Sequence, residues 1–382
     1  MADAYLVEPD VGFINEVSAL GGGDLKKCYQ CATCAVACPI SPDSHPFPRK
    51  EMIAASWGLK DKLVGNGDVW LCHNCGDCTT LCPRGARPGD VLSAIRQYSI
   101  MEYATPKKLA KFVSNPKKLP ILLAIPAVIF IVLGLVFRLF GVHWFNIPPV
   151  GDHIWQSHFI NNYLVDIIMV PTFNAAIIIF ALGLKRFITD MHANALASGQ
   201  TDREKIDPVG FVKALVRVVP TIMVHSKFNE CSENKDRATA HMMVLFGFIG
   251  LFIVTASFFM AEWVFHIEGP YSQLNPIKWL GNIAGISLVI GAILLIKNRL
   301  TRSDLLSTYW DWYLVGLAFA LGITGMLTQM FRLAGMGGAT YFIYFFHLLF
   351  IWTLFAYTPF SKLGHIAYRT MAMAYNEYIG RK

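Results

Sequence analysis

CYQCATCAVACP, residues 28–39, and CHNCGDCTTLCP, residues 72–83, are one cysteine string written twice. Both read C-x2-C-x2-C-x3-C-P. In a ferredoxin of this spacing three thiolates wrap one iron–sulfur cube, and the fourth, beside the proline, ligates the other cube. The reading is therefore two [4Fe-4S] clusters with crossed ligands. Cys28, Cys31, Cys34 and Cys82 would hold the first, and Cys72, Cys75, Cys78 and Cys38 the second. Zinc ribbons use isolated C-x2-C pairs with long spacers, and disulfide scaffolds belong to short secreted chains. Eight of the nine cysteines are thus assigned, and Cys231 reads as a bystander in a polar loop.

Outside the strings the composition changes. Hydrophobic residues make up 54% of the 382-residue chain and charged residues only 15%, against about a quarter charged in ordinary soluble proteins. Apolar runs long enough to cross about 30 Å of hydrocarbon fall near 119–140, 162–184, 241–265, 279–296, 312–331 and 341–360. The expected fold class is all-α: a helical ferredoxin domain followed by a six-span transmembrane helix bundle of cytochrome b type. The expected domains are 1–112, a bundle over 113–366 with a polar loop at 185–237, and a tail over 367–382. Within the first domain, residues 48–64 read as one helix starting at Pro48, and Asp90 reads as the cap of the helix that follows.

Of 33 Lys and Arg, only Arg138, Lys278 and Arg332 fall at the turns joining spans one to two, three to four and five to six. The positive-inside rule then places the clusters and both termini in the cytoplasm, in a multi-pass protein of the cytoplasmic membrane. The opening MADAYLVEPDVGF has acids and no basic segment, which agrees with clusters kept on the side of synthesis. A net charge of +7 fits anionic membrane lipid and needs no nucleic acid. Residues 208–228 mix apolar positions with Lys213, Arg217 and Pro220, and read as an amphipathic segment on the membrane surface.

His241 opens the third span, and His365 follows the inner end of the last one. Two imidazoles from different helices at one depth are what a haem b requires as axial ligands. His347, eighteen residues before His365, would stand about 27 Å away along a continuous helix, toward the other face. Asp166 lies within an apolar run, where an ionisable residue is a functional candidate, here for a quinone site. Its plainer reading is an ion pair with Arg138.

HLLFIWTLFAYTPFSKLGH, residues 347–365, resembles the last haem-binding helix of the respiratory nitrate reductase gamma family. AHMMVLFGFIGLF, residues 240–252, is similar to an earlier haem helix of that family. The duplicated string resembles the small dicluster ferredoxin subunit of heterodisulfide reductases. Joined in one chain, the two resemble the family of cytochrome b–ferredoxin fusion subunits found in the quinone-interacting membrane-bound oxidoreductase complexes (Qmo) of sulfate-reducing prokaryotes. The resemblance implies that His241 and His365 hold one haem b and that His347 is a ligand of a second. The gamma family supplies that second haem's partner where this chain has Leu251, which cannot ligate iron. Among His143, His153, His158 and His266, His158 is the expected replacement.

The resemblance further implies menaquinone as substrate. Electrons would pass through haem b and two [4Fe-4S] clusters to the flavin and iron–sulfur subunits of the same complex, and then to adenylylsulfate reductase in dissimilatory sulfate reduction. Two alternatives share the motifs: a cytochrome b–ferredoxin chain feeding a heterodisulfide or sulfite reductase, and a membrane anchor with redox-sensing clusters.

Overall fold

A computed structural model describes residues 8–146, 154–225, 236–301 and 306–381. His153 and Cys231 lie outside them. The described residues are helical, with no β-strand and a single isolated bridge between Trp144 and Ile160.

The first part is built from short helices: α1 (Val11–Val17), α2 (Thr33–Val36), α3 (Arg49–Ser56), α4 (Lys60–Val64), α5 (Asp68–Leu71), α6 (Asp77–Thr80), α7 (Pro88–Tyr103) and α8 (Lys107–Val113). The helix expected over 48–64 is two helices. Gly58, at φ +69°, turns the chain between α3 and α4 and presses on Asp10, whose backbone an added Cβ would meet at 2.8 Å. Nor does Asp90 cap α7. Pro88 occupies the first turn after Arg87, and the Asp90 carboxylate accepts from Arg87 Nε at 2.5 Å. Proline suits that position because its missing N–H would be unpaired there anyway.

Six apolar helices are long enough to cross a membrane. They are α9 (Leu119–Leu139), then, after the short α10 (Gln156–Phe159), α11 (Asn162–Ala197), and, after α12 (Pro208–Val224), α13 (Asp236–Trp263), α14 (Pro276–Thr301), α15 (Tyr309–Leu333) and α16 (Gly337–Tyr357). Their outer positions, such as Ile178 and Leu135, are exposed and apolar, the surface that hydrocarbon rather than water would cover.

At 36 residues, α11 is about 54 Å long, well beyond the ~30 Å of a bilayer core. Its second half, inside the expected 185–237 loop, enters the ferredoxin-like part. Phe187 is fully buried against Trp70, Tyr103 and Tyr368. Asp190 accepts from Tyr103 Oη at 2.9 Å, and Asn194 donates to the Asp61 carbonyl at 3.0 Å. The amphipathic segment is α12, capped by Asp207, which accepts from Val209 N and Gly210 N. It packs on α17 (His365–Tyr378).

The expected tail is therefore mostly helix α17, and Tyr368, Ala372, Tyr375 and Tyr378 belong to the same core as Trp70. Arg381 closes it, pairing with Asp68 and donating to the His45 carbonyl at 2.6 Å. One apolar core thus joins the cysteine strings to the membrane helices. Phe187→Ala is expected to cost about 3–5 kcal/mol and to lower the unfolding temperature of the purified protein, while the lipid-facing Ile178→Ala shifts it little. Equal shifts in differential scanning would contradict this common core.

Candidate functional site

In both cysteine strings the first thiol accepts a hydrogen bond from the backbone two residues on, Gln30 N to Cys28 Sγ at 3.4 Å and Asn74 N to Cys72 Sγ at 3.3 Å. Those donors reach the sulfur because Gln30 (φ 59°) and Asn74 (φ 54°) are left-handed. Ala86 N donates likewise to Cys82 Sγ at 3.4 Å. Backbone N–H groups aimed at thiolate sulfur are one of the levers a protein has on an iron–sulfur centre.

The thiols gather in two sets. Cys34 stands within electrostatic reach of Cys28, Cys31 and Cys82, and burial followed by repulsion from Cys28 pushes it up to about 11. Cys38 faces Cys72 and Cys75, and burial again leads in raising it to about 12. Cys78, raised mainly by burial, is flanked most closely by Cys72, Cys75 and Cys38. Cys82 thus stands near Cys34, and Cys38 near Cys72 and Cys75, the proximity that crossed ligation would require. Buried thiolates that repel one another call for a compensating positive core, which suits an iron–sulfur cluster. Among the described residues no three such side chains converge as they would on a single ion; a cubane spreads its thiolates over four irons and does not require it.

The two sets differ in surroundings. Cys72, Cys75 and Cys78 are buried, whereas Cys31 is exposed and Cys28, Cys34 and Cys82 are intermediate. Hydrogen bonding with Thr33 holds the Cys31 thiol below its ordinary range. On the buried side, Arg96 donates to the Cys72 carbonyl at 2.8 Å, and Arg369 of α17 donates to the Cys72 and Leu71 carbonyls at 3.2 and 3.3 Å and contacts the His73 ring at 3.0 Å.

His365 begins α17, one turn before Arg369. The helix expected to run unbroken from His347 ends at Tyr357, because Pro359 and Gly364 turn the chain through two short segments first. His365 Nδ1–H donates to the Lys362 carbonyl at 2.5 Å, which leaves the Nε2 lone pair available. Burial, then the Lys362 ammonium, push this imidazole down to about 3, so it stays neutral. It lines a cavity of about 790 Å³ between α13, α14, α15 and α16 together with His241 and His347. The volume lies in the range of cofactor and ligand sites. Two imidazoles from different helices at the cluster-side end fit the donor set of a haem b.

His347 is placed differently from its expectation. With α16 starting at Gly337, it lies about 15 Å along the helix, near mid-depth. Its Nδ1–H donates to Thr324 Oγ1 at 2.9 Å, since that hydroxyl already donates to the Ala320 carbonyl at 2.6 Å. The ring lies on Gly325, where an added Cβ would meet it at 3.0 Å. The structure does not bring His158 to it. That side chain is exposed, stacked on Trp155 with centroids 4.9 Å apart, because the short α10 turns it away from the bundle. His143 and His266 are exposed too. Leu251 lines the cavity, and among the described lining residues His347 has no partner imidazole at its own level.

Asp166 also lies apart from the cavity and from Arg138. Its carboxylate accepts from Trp263 Nε1 at 2.7 Å, at the last residue of α13, while Arg138 is exposed. The polar groups that do line the far end of the cavity are Lys278, Asn282 and Gln329. Gln329 donates to Asn282 at 2.7 Å, and Lys278 stands over the Phe258 ring at 5.8 Å. In the sequence Lys278 counted only as a topological charge; the available signal was a lysine, an amide and a glutamine inside apolar spans. His225 and His73 were missed as well. They line a small cavity of about 60 Å³ with His241, His365 and Arg369, and His225 packs on His241 with centroids 5.0 Å apart.

Residues 24–86 match the family model described as a 4Fe-4S dicluster domain. No curated protein and no solved structure matches the chain. An iron–sulfur domain fused to six apolar helices makes this a membrane electron-transfer subunit. Cys82→Ser is expected to damage the cluster built on Cys28, Cys31 and Cys34 and to spare the other. EPR of the reduced protein checks this, and loss of the Cys72 cluster alone would refute the crossing.

Proposed function

We propose that this chain exchanges electrons between a membrane quinone, menaquinone on the resemblance to the Qmo fusion subunits, and the flavin and iron–sulfur subunits of the same complex in the cytoplasm. By that resemblance the electrons ultimately serve adenylylsulfate reductase. The observation that carries the reading is a single helix. Helix α17 begins with His365 in the membrane cavity, and one turn later Arg369 is bonded to the backbone of the cysteine string at Cys72. A haem b and two [4Fe-4S] clusters, when bound, supply one-electron transfer.

The chain's own residues hold and orient those centres. His241 and His365 would hold one haem b, with the His365 tautomer set by the Lys362 carbonyl. The eight crossed cysteines would hold the clusters. Arg369, Arg96 and His73 keep the buried cluster loop against the haem end of the cavity. At the far end Lys278, Asn282 and Gln329 offer donors to a quinone carbonyl or a hydroquinone oxygen, in a setting otherwise made of Leu251, Phe258 and their apolar neighbours. In this reading His347 serves the cavity rather than a second haem, and Asp166 is a rim residue.

His241→Ala and His365→Ala should each abolish the same b-haem signal in a reduced-minus-oxidised spectrum, with His158→Ala leaving haem content unchanged. Two separately lost signals, or haem retained in either variant, would defeat the pairing. Lys278→Ala and Gln329→Leu should keep haem and iron yet lower kcat/KM for menaquinol analogues about ten- to a hundredfold, the loss of one hydrogen bond involving a charged or buried group. Unchanged quinol kinetics would remove the far end as the quinone site.

A further inference from the structure

The exposed cysteine set stands in an apolar and basic face that no described residue covers. Val36 is 87% exposed, Tyr29 68% and Leu81 57%. Each is tied to a ligand position: Tyr29 follows Cys28, Val36 comes two residues after Cys34, and Leu81 precedes Cys82. They form one patch, because α2 and α6 pack together and the Arg84 guanidinium lies over the Tyr29 ring at 4.1 Å. Large apolar side chains collected at one exposed place mark interaction surfaces.

The exposed charge around the patch is mainly positive. Lys26, Arg49 and Arg84 are exposed, and among the described residues none has a carboxylate partner in a salt bridge. The neighbouring Lys27, Lys50 and Arg87 are paired, with Asp24, Asp68 and Asp90, each at 2.5 Å. Arg49 is held over the same loop, donating to the Gln30 carbonyl at 2.9 Å. Asp43 is the exposed acid nearby in sequence. The opposite, buried cysteine set is closed off by α17 and Arg369, so the exposed set is the one that a molecule from outside can approach.

We infer that this face is the docking surface for a redox protein whose own cofactor lies under an acid-rimmed apolar patch. The inference rests on the electron-transfer reading and adds the order of the clusters: the Cys72 set faces the membrane cavity and the Cys28 set faces the partner. Apolar contact around Cys31 brings the two centres close, and the surrounding guanidinium and ammonium groups steer and orient the encounter, an effect weakened by salt.

The test uses the full chain, cluster-loaded, in nanodiscs, with an acidic flavodoxin as the probe and binding read by surface plasmon resonance. At low ionic strength the flavodoxin should bind, and affinity should fall steeply toward physiological salt. Lys26→Glu combined with Arg84→Glu, and separately Val36→Asp combined with Leu81→Asp, should each weaken binding about tenfold or more, with cluster absorbance and EPR intact. Lys107→Glu combined with Lys111→Glu, on another basic surface, should bind as wild type. Salt-independent binding, no binding, or equal losses in the Lys107/Lys111 variant would overturn the surface while leaving the electron-transfer reading intact. A wild-type chain without iron–sulfur absorbance after anaerobic reconstitution would overturn both.

Discussion

The tie between the buried cysteine string and the membrane part rests on the hydrogen bonds from the Arg369 guanidinium to the backbone carbonyls of Leu71 and Cys72. A guanidinium is a rigid fork of donors that stays charged, so it can satisfy several carbonyls of an irregular loop that has no helix or sheet to pair with. The cysteine strings are largely such loops, helical only over α2 and α6. Arg96 reaches the same Cys72 carbonyl from α7. The loop is thus clamped between a helix of its own domain and α17, which follows the last membrane helix after two short turns.

Two positive groups over that carbonyl also bear on redox chemistry. Cationic donors beside a cluster favour its more negative, reduced form, by the same electrostatics that tune any buried charge. The first loop of the exposed set is held more lightly, by Arg49 Nε on the Gln30 carbonyl at 2.9 Å, with no helix of the membrane part on it among the described residues. It has Arg84 on Tyr29 instead, at the surface. One cysteine set is built into the protein's frame and the other is presented to solvent, an asymmetry that the shared cysteine spacing conceals.

In the bundle, the controlling fact is an interior cavity lined mainly by apolar side chains, with nitrogen-bearing groups toward both ends and His347 near mid-depth. Isolated polar groups in a hydrocarbon-bounded bundle are costly unless paired. Here the Gln329 amide is paired with Asn282, His347 with Thr324 and His365 with a backbone carbonyl. All three line the cavity with a partner already in place, which distinguishes a prepared site from a packing defect.

The duplicated cysteine spacing and the six apolar runs were legible without coordinates, because thiolate spacing and the length of hydrocarbon to be crossed are constraints local to the chain. The crossing of the fourth cysteines was read by the same logic, and Cys82 stands near Cys34 and Cys38 near Cys72 and Cys75. What the linear pattern could not express was how far helices run past the membrane and which polar residues share a cavity. Phe187 and Tyr368, which no local pattern singles out, share one apolar core with Trp70 of the cluster domain. His158 and Asp166 are plausible by position and are turned away by α10 and by Trp263. Local sequence determined the cofactor-binding loops and the number of spans. Only tertiary packing decided which helix face, and therefore which imidazole, carboxylate or amide, looks into the common interior, because that depends on the rotation of each helix against its neighbours.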